Sequence, residues 1–326
     1  MFEPMPRRPL TTPDHAGAAL AWASAYHTPV LAHEVVALLA GCAHILDGTL
    51  GGGGHALALL EAGASRVTAV DRDPEAVAEA LERLATYVRD GRFRALLGNY
   101  AQLENSALAG ERFDGILLDL GISSRQIDAT ARGFSFREGA PLDMRMGPDT
   151  RTDAATFLNT APGSELAWVF REHGDEPRAL RLAREIERRR ATRPFATSDD
   201  LVGAIRGALG PRTGAPDFAR LFQAVRIAVN EELVGLERAL PALRDRLRPQ
   251  GVLAVIAYHS GEDRLVKQAF REWSTACTCP PRQPVCICGG KALGVTLTKR
   301  AITAPAAEVA ANPRARSAKL RAWRAA

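Results

Sequence analysis

Short apolar runs alternate with amphipathic stretches along most of the chain. The apolar runs at residues 44–47, 66–71, 93–97 and 113–120 are short and bounded by glycine, proline or charged residues, which predicts buried β-strands. The segments between them repeat apolar residues at helical spacing. This alternation predicts an α/β fold in which helices cover a doubly wound, mostly parallel sheet.

The strand pattern stops after about residue 124 and returns only at residues 251–257. Residues 125–219 are rich in arginine and helical in pattern, so we expect a helical insertion domain after the fourth strand. Residues 26–124 and 220–300 would form the main domain. Because α/β sheets bind ligands at the carboxyl ends of their strands, the insertion should shape the substrate cleft.

Composition changes the picture mainly at the two ends of the chain. The 326 residues are 46% hydrophobic and 24% charged, as in an ordinary globular protein, and no run reaches the roughly 18 apolar residues of a membrane span. Residues 301–326 form a basic tail, which suggests a polyanionic partner, and we expect the Ala-rich residues 292–326 to be extended or only locally ordered. Residues 1–25 mimic a secretory signal only loosely, and we predict a disordered or loosely docked extension of a cytoplasmic protein.

A glycine-rich loop follows the first strand at residues 48–55, and Asp71 ends the second strand about 20 residues after it. Glycines let the backbone approach a ligand at a helix N-terminus, and a carboxylate in this position accepts hydrogen bonds from ribose hydroxyls. The pair predicts a nucleoside-containing cofactor, with a plain turn and a solvated aspartate as the alternative. Asp47, just before the loop, favours S-adenosylmethionine over NAD because a carboxylate attracts a sulfonium and repels a pyrophosphate.

Four of the five cysteines lie close together, at Cys277, Cys279, Cys286 and Cys288. A chain of this length does not need a disulfide scaffold. Four thiolates could bind zinc, but Cys-x-Cys is tighter than the usual zinc spacing and no histidine lies nearby. We therefore predict no metal, and structural zinc stays open beside free thiols or a redox-labile pair.

Motifs in nine segments resemble, in order, those of the RsmH (MraW) family of small-subunit ribosomal RNA cytosine-N4 methyltransferases. The segments are residues 27–31, 47–55, 71–74, 117–124, 133–136, 141–146, 222–233, 259–264 and 312–321. The chain departs from the family at Tyr258, where phenylalanine is usual, at Gly261, where leucine is usual, after Met146, and in its N-terminal extension. The resemblance implies the Rossmann-like class I fold of S-adenosylmethionine methyltransferases. It also implies methyl transfer to N4 of a cytidine in the decoding region of 16S ribosomal RNA, within the small ribosomal subunit.

The resemblance also implies the residues of the site. It assigns cofactor contacts to Gly53, Gly54, His55, Asp71, Tyr100, Asp119 and Gln126. As catalytic candidates we take Asp119, which could accept hydrogen bonds from the N4 amino group, and His259, which could line the acceptor pocket. A satisfied histidine at a strand end is an equal alternative for His259. Asp143 is a further pocket candidate, with a salt bridge to Arg145 as the alternative.

An RNA target must present its cytosine unpaired or extruded, because an amine inside stacked RNA cannot reach a buried methyl group. Arginines could hold the phosphates. The basic candidates are Arg178, Arg181, Arg184, Arg188, Arg189, Arg190 and Arg193 in the insertion, and Arg314, Arg316, Lys319, Arg321 and Arg324 in the tail. Glutamates interleave the insertion's arginines, so ion pairing within the helix is an even alternative there.

Three other functions stay open at this point. A DNA amino-methyltransferase is disfavoured, because residues 119–122 read Asp-Leu-Gly-Ile and not the Asp/Asn-Pro-Pro-aromatic motif of that class. An RNA-binding assembly factor would keep the fold and lack catalysis, and the intact glycine loop argues against it. A dehydrogenase would bind NAD in place of S-adenosylmethionine.

Overall fold

The computed structural model describes residues 22–24, 28–277, 279 and 290–326. Its strands are His44–Asp47 (β1), Arg66–Asp71 (β2), Phe93–Leu97 (β3), Phe113–Asp119 (β4), Leu247–Ala257 (β5), Gly294–Thr296 (β6) and Lys319–Ala325 (β7). They form one seven-stranded sheet in the order β3-β2-β1-β4-β5-β7-β6. β1 to β5 are parallel, and β7 is antiparallel to both of its neighbours. The prediction of a doubly wound, mostly parallel sheet of the Rossmann-like class I methyltransferase fold is confirmed.

Helices lie on both faces of this sheet and build the insertion. They are Ala32–Leu38 (α1), Gly54–Glu61 (α2), Pro74–Arg83 (α3), Ala85–Arg89 (α4), Ser124–Asp128 (α5), Ala154–Thr160 (α6), Gly163–Glu172 (α7), Ala179–Arg190 (α8), Ser198–Leu209 (α9), Ala215–Asn230 (α10), Glu232–Asp245 (α11), Ser260–Trp273 (α12) and Ala306–Ala311 (α13). Successive strand residues point to opposite faces, so β5 sends Val252 and Ala254 into the core beneath α1 and α2. Leu253 and Val255 join α11 and α12 in the core on the other face.

The structure divides two segments for which the sequence pattern predicts one helix each. The pattern predicts a helix from Pro74 to Tyr87, but α3 ends at Arg83 and α4 begins after Leu84. The pattern also predicts one helix over residues 220–247, but the left-handed backbone of Glu231 (φ 51°) separates α10 from α11. A helical hydrophobic period continues through such a break, so the pattern alone does not reveal it.

The insertion has its own apolar core, built by α6 to α10. Phe218, Leu221, Phe222 and Val225 of α10 lie in this core. The domain boundary predicted between residues 219 and 220 therefore falls inside a continuous helix and is wrong. We propose the α10–α11 junction as the boundary, because the chain direction changes there and the helices on its two sides pack in different cores.

The expectation that residues 292–326 are extended or only locally ordered is also wrong. β7 pairs with β5 over six residues, and Leu320, Ala322 and Trp323 are fully buried. The basic composition concealed an alternation of buried and more exposed positions in this segment. A sheet edge left open beside β5 would expose unpaired backbone groups, and β7 covers it.

Two predictions extend beyond the described residues. Most of the extension at residues 1–25 lies outside them, but Trp22 is described: its indole Nε1 donates to Glu61 at 2.7 Å, and Arg83 donates to its carbonyl at 2.7 Å. Cys286 and Cys288 of the four-cysteine cluster also lie outside, so zinc binding there stays an open alternative. Within the described ranges, every helix is too short or too polar to cross a membrane.

Candidate active site

A cavity of about 840 Å³ opens at the carboxyl ends of the central strands. Its walls come from the glycine loop after β1, from the ends of β2 and β4, from the turn after β5, and from the insertion. β1 has β2 on one side and β4 on the other, so the cavity lies where the strand order reverses, which is where doubly wound sheets bind ligands. Its volume suits a small-molecule ligand, for which sites of about 300–1,000 Å³ are usual.

The structure brings most of the predicted cofactor residues together. Those that line the cavity are Gly54, His55, Asp71, Tyr100, Asp119 and Gln126. Gly53 is the exception: its left-handed backbone (φ 74°) precedes α2, and a Cβ there would face Ala80 of α3 and Leu84 just after that helix. The contribution of Gly53 is therefore to the turn of the loop and its packing.

Asp71 braces the glycine loop from the end of β2. Its Oδ2 accepts a hydrogen bond from the Gly51 backbone at 2.8 Å, and its Oδ1 accepts one from the Asp73 backbone at 2.9 Å. Burial raises the pKa of Asp71 to about 6. Each carboxylate oxygen keeps a second lone pair, so the fixed group can still accept hydrogen bonds from a ligand in the cavity.

Asp119, at the end of β4, is held from several sides. The Tyr258 hydroxyl donates to its Oδ1 at 2.9 Å, and His55 Nε2 lies 3.4 Å from its Oδ2. The Asp119 backbone N–H donates to the Thr49 hydroxyl at 2.6 Å. Burial alone would lower the pKa of His55, but the Asp119 carboxylate outweighs it and raises that pKa. The result is a carboxylate of fixed orientation in the cavity wall, with donors that favour its ionised form.

Asp47 is completely buried beneath the same loop. Its Oδ1 accepts from the Thr49 backbone at 3.1 Å, whereas its Oδ2 has no hydrogen-bond partner in the described part of the chain. Burial raises the pKa of Asp47 to about 7, although His55 opposes the rise. An unsatisfied buried carboxylate is costly, and a cationic ligand group beside Gly48 and Thr49, which line the cavity, would reduce that cost.

Gln126 and Tyr100 also line the cavity. Gln126 closes a capping box with Ser123 at the start of α5 and donates to Asp73 at 2.9 Å. Its amide therefore has one N–H left for a ligand. Tyr100 begins a 3₁₀ turn after β3, and burial raises the pKa of its hydroxyl above the ordinary value.

The second catalytic candidate, His259, serves as the N-cap of α12. Its Nδ1 accepts from the Glu262 backbone at 3.5 Å, and its Nε2 lies 3.3 Å from the Glu262 carboxylate. The ring also lines the cavity. The Nδ1 contact supports the alternative of a histidine satisfied at a strand end, but Nε2 has no hydrogen-bond partner in the described part of the chain, and a contact with the acceptor stays a prediction. Asp143 lies outside the cavity lining and forms a salt bridge with Arg145 at 2.8 Å. This salt bridge is the alternative that the sequence offered for Asp143.

The sequence did not predict the cluster that ties the insertion to the cavity. Arg72 donates to Asp149 at 2.9 Å, to the Thr150 hydroxyl at 2.8 Å and to the Asn230 carbonyl at 3.2 Å. The Gly147 backbone lies so close to the Arg72 carbonyl that a Cβ would not fit. The sequence signal that could have indicated this cluster is the position of Arg72, directly after Asp71 at the end of a strand. The cluster holds residues 146–152 along the cavity wall.

Most of the insertion's arginines serve the fold. Arg188 and Arg189 both pair with Glu185 at 2.7 Å, and Arg190 donates to the carbonyls of Leu158 and Ala161. In the tail, Arg321 pairs with Asp263 at 2.6 Å. The arginines that line the cavity are instead Arg72, Arg151, Arg226, Arg238 and Arg314, of which only Arg314 was a predicted phosphate contact.

Comparison with known proteins agrees with this site. The model of the MraW methylase family matches residues 24–326. A protein of Gemmatimonas aurantiaca named ribosomal RNA small subunit methyltransferase H is 64% identical over 302 residues, which are 92% of this chain and 96% of the relative. Proteins of the same name from Heliobacterium modesticaldum and Rubrobacter xylanophilus are 45% and 48% identical, over 91% and 92% of this chain and 97% and 96% of their own lengths. The chain therefore belongs to the MraW methylase family.

Proposed function

We propose that the protein transfers the methyl group of S-adenosylmethionine to the exocyclic N4 of a cytidine in the decoding region of 16S ribosomal RNA. The observation that carries the proposal is the Asp119 carboxylate, fixed at the end of β4 in a cavity that also contains the glycine loop and Asp71. The names of the relatives supply the acceptor class, ribosomal RNA of the small subunit. The cytoplasm, where small subunits assemble, would be the place of reaction.

The residues of the cavity fit S-adenosylmethionine, which supplies a methyl group activated by a sulfonium. We assign the loop at Gly54 and His55 to the methionyl part, Asp71 to the ribose hydroxyls, and Tyr100 and Gln126 to the adenine end. The unsatisfied Oδ2 of Asp47 supports a cation near the loop. A neutral ligand would leave that buried oxygen without compensation.

Asp119 would act on the acceptor. The N4 lone pair of cytosine is conjugated into the ring, so it is a weak nucleophile. A carboxylate that accepts hydrogen bonds from the amino group favours its pyramidal form and aligns it for in-line attack. S-adenosylmethionine would supply the methyl group to N4, and its sulfur would keep the electron pair of the broken S–C bond. Asp119 would take the proton that N4 releases.

The acceptor is tested with small ribosomal subunits from a strain that lacks this gene. Purified protein and radiolabelled S-adenosylmethionine are added, and the RNA is digested to nucleosides. We expect the label in N4-methylcytidine at one position of the decoding region. Label in another nucleoside, or none despite measured cofactor binding, would contradict the proposal. Naked 16S RNA in parallel shows whether the assembled subunit is required.

Replacing Asp47 with asparagine should stabilise the protein without ligand and weaken S-adenosylmethionine binding. Because the pKa of Asp47 rises from 3.8 to about 7 on folding, the folded chain holds a proton that the unfolded chain has lost between those values. Stability from this group therefore falls as the pH rises from about 4 to about 7. Asparagine does not titrate, so it removes this loss of stability. It also removes a charge that attracts the cofactor, so we expect the affinity for S-adenosylmethionine to fall about 10- to 100-fold.

Thermal unfolding at pH 5 and pH 8, with calorimetric titration of S-adenosylmethionine, measures both effects of the Asp47→Asn substitution. Asp245→Asn, in an exposed ion pair at the end of α11, is the matched control and should change neither quantity. Equal affinity in Asp47→Asn and wild type would show that Asp47 does not serve the cofactor.

Arg314→Gln should weaken RNA binding in a manner that depends on salt. Arg314 lines the cavity and pairs with the exposed Asp128 at 3.3 Å, a contact weak enough to yield to a phosphate. Loss of one phosphate contact should lower the slope of log affinity against log salt by about 1. Filter binding of small-subunit RNA between low and moderate salt measures it. Arg89→Gln, exposed at the end of α4 and outside the cavity lining, is the control, and equal slopes in the two variants would refute the assignment.

A further inference from the structure

Tyr258 directly follows β5, and its hydroxyl reaches across the cavity wall to Asp119 at the end of β4. Because the two strands are parallel neighbours, their carboxyl ends bring these side chains to one edge of the sheet. We propose that Tyr258 is a positioning residue, whose hydroxyl fixes the orientation and the ionised state of the Asp119 carboxylate for methyl transfer. This inference rests on the proposed role of Asp119.

The geometry explains why a second donor matters. Rotation of an aspartate carboxyl about its last bond is broad and roughly two-fold, so a single contact leaves the orientation of the group open. With Tyr258 on Oδ1 and His55 near Oδ2, both oxygens of Asp119 are tied to different elements of the fold. The carboxylate is then held in one orientation toward the cavity. Removal of the hydroxyl would restore the rotation and remove a hydrogen bond that favours the charged form.

The charges around this carboxylate strengthen the argument. Asp47 at the end of β1 interacts electrostatically with Asp119 and with His55. Glu308 of α13 interacts electrostatically with His55 and Tyr258, and Glu262 of α12 interacts with Tyr258 as well. Nearby carboxylates make a further negative charge costly, so a donor to Asp119 offsets part of that cost. Burial, and then Asp119, raise the pKa of Tyr258 well above its ordinary value, so the hydroxyl keeps its proton over the working pH range.

Tyr258→Phe removes only the oxygen atom and tests the proposal. In single turnover, we expect the rate constant of methyl transfer to fall about 3- to 30-fold. The acid limb of its pH profile should move up by about one pH unit. The affinity for S-adenosylhomocysteine should change less than about twofold, because that product has a neutral sulfur. Tyr87→Phe is the control: this tyrosine lies outside the cavity lining, with its ring under Arg92, and its loss of a hydroxyl should change neither quantity.

A graded substitution separates positioning from simple packing. 3-Fluorotyrosine at position 258 has a more acidic phenol and is a stronger donor, so it should retain the rate and move the acid limb to lower pH. A Tyr258→Phe profile that coincides with that of the wild type would overturn the proposal. The proposal would also be overturned if the rate fell, the acid limb did not move and the affinity for S-adenosylhomocysteine fell in parallel. That combination is expected of a purely structural role.

Failure of the proposed acceptor would be recognised separately, because the wild type would then label no small subunit. The Tyr258 proposal would still be tested by the ratio of S-adenosylmethionine affinity to S-adenosylhomocysteine affinity against pH, which needs no acceptor. An ionised Asp119 favours the sulfonium, and a protonated Asp119 does not. As the pH is lowered, the preference for S-adenosylmethionine should therefore disappear at a higher pH in Tyr258→Phe than in the wild type. Coincident curves would reject it.

Discussion

Asp119→Asn is expected to reduce methyl transfer about 1,000-fold or more while the protein continues to bind S-adenosylhomocysteine. Asparagine has nearly the same shape, but it carries no charge and cannot take the proton that leaves N4. Both carboxylate oxygens of Asp119 can accept hydrogen bonds, but an asparagine amide has only one oxygen. Its nitrogen, itself a donor, would therefore face a second donor, either the Tyr258 hydroxyl or His55. The substitution therefore removes both the alignment of the amino group and the destination of its proton.

Single-turnover transfer from radiolabelled S-adenosylmethionine measures the effect of Asp119→Asn, and calorimetric titration of S-adenosylhomocysteine shows that the cavity is intact. Asp90→Asn, exposed after α4, is a matched control that should retain the wild-type rate. A rate within tenfold of the wild type would remove Asp119 from the chemistry. The proton would then need another acceptor, and His259, the second catalytic candidate, also lines the cavity.

The parts of the site that the sequence predicted are those adjacent to strands. Asp71 and Asp119 end strands β2 and β4, and His55 follows the glycine loop after β1. In a doubly wound sheet these positions converge by topology, and the spacing of the short apolar runs grouped the glycine loop with Asp71. The family resemblance then added His55, Tyr100, Asp119 and Gln126, which also line the cavity.

The parts that the sequence did not predict depend on contacts between distant segments. The bond from Tyr258 to Asp119 joins residues 139 positions apart, and that from Arg72 to the Asn230 carbonyl joins residues 158 positions apart. Their geometry follows from strand register and from the packing of the insertion, which one sequence does not contain. Charge was a poor guide for a related reason: Arg188, Arg189 and Arg321 are basic residues whose partners lie within the fold.

The last strand shows the same limit most clearly, because the basic residues of β7 hid its buried positions. Trp323 has no exposed surface and lies edge-on to Trp273, with the ring centroids 5.2 Å apart. Its indole Nε1 donates to the Ser274 hydroxyl at 3.1 Å. The C-terminal segment is therefore part of the core beneath α12, and the free energy of unfolding should depend strongly on it.

Trp323→Ala is expected to lower the free energy of unfolding by about 3–5 kcal/mol, because the substitution leaves a cavity between β7 and α12 and an unpaired Ser274 hydroxyl. Urea unfolding followed by circular dichroism measures the loss. Arg324→Ala, exposed at the next position of the same strand, is the matched control and should change stability by less than about 0.5 kcal/mol. A loss below about 1 kcal/mol for Trp323→Ala would mean that β7 detaches before the rest of the sheet unfolds. A loss of the expected size makes β7 part of the cooperative unit that holds β5, and with it the position of Tyr258 beside Asp119.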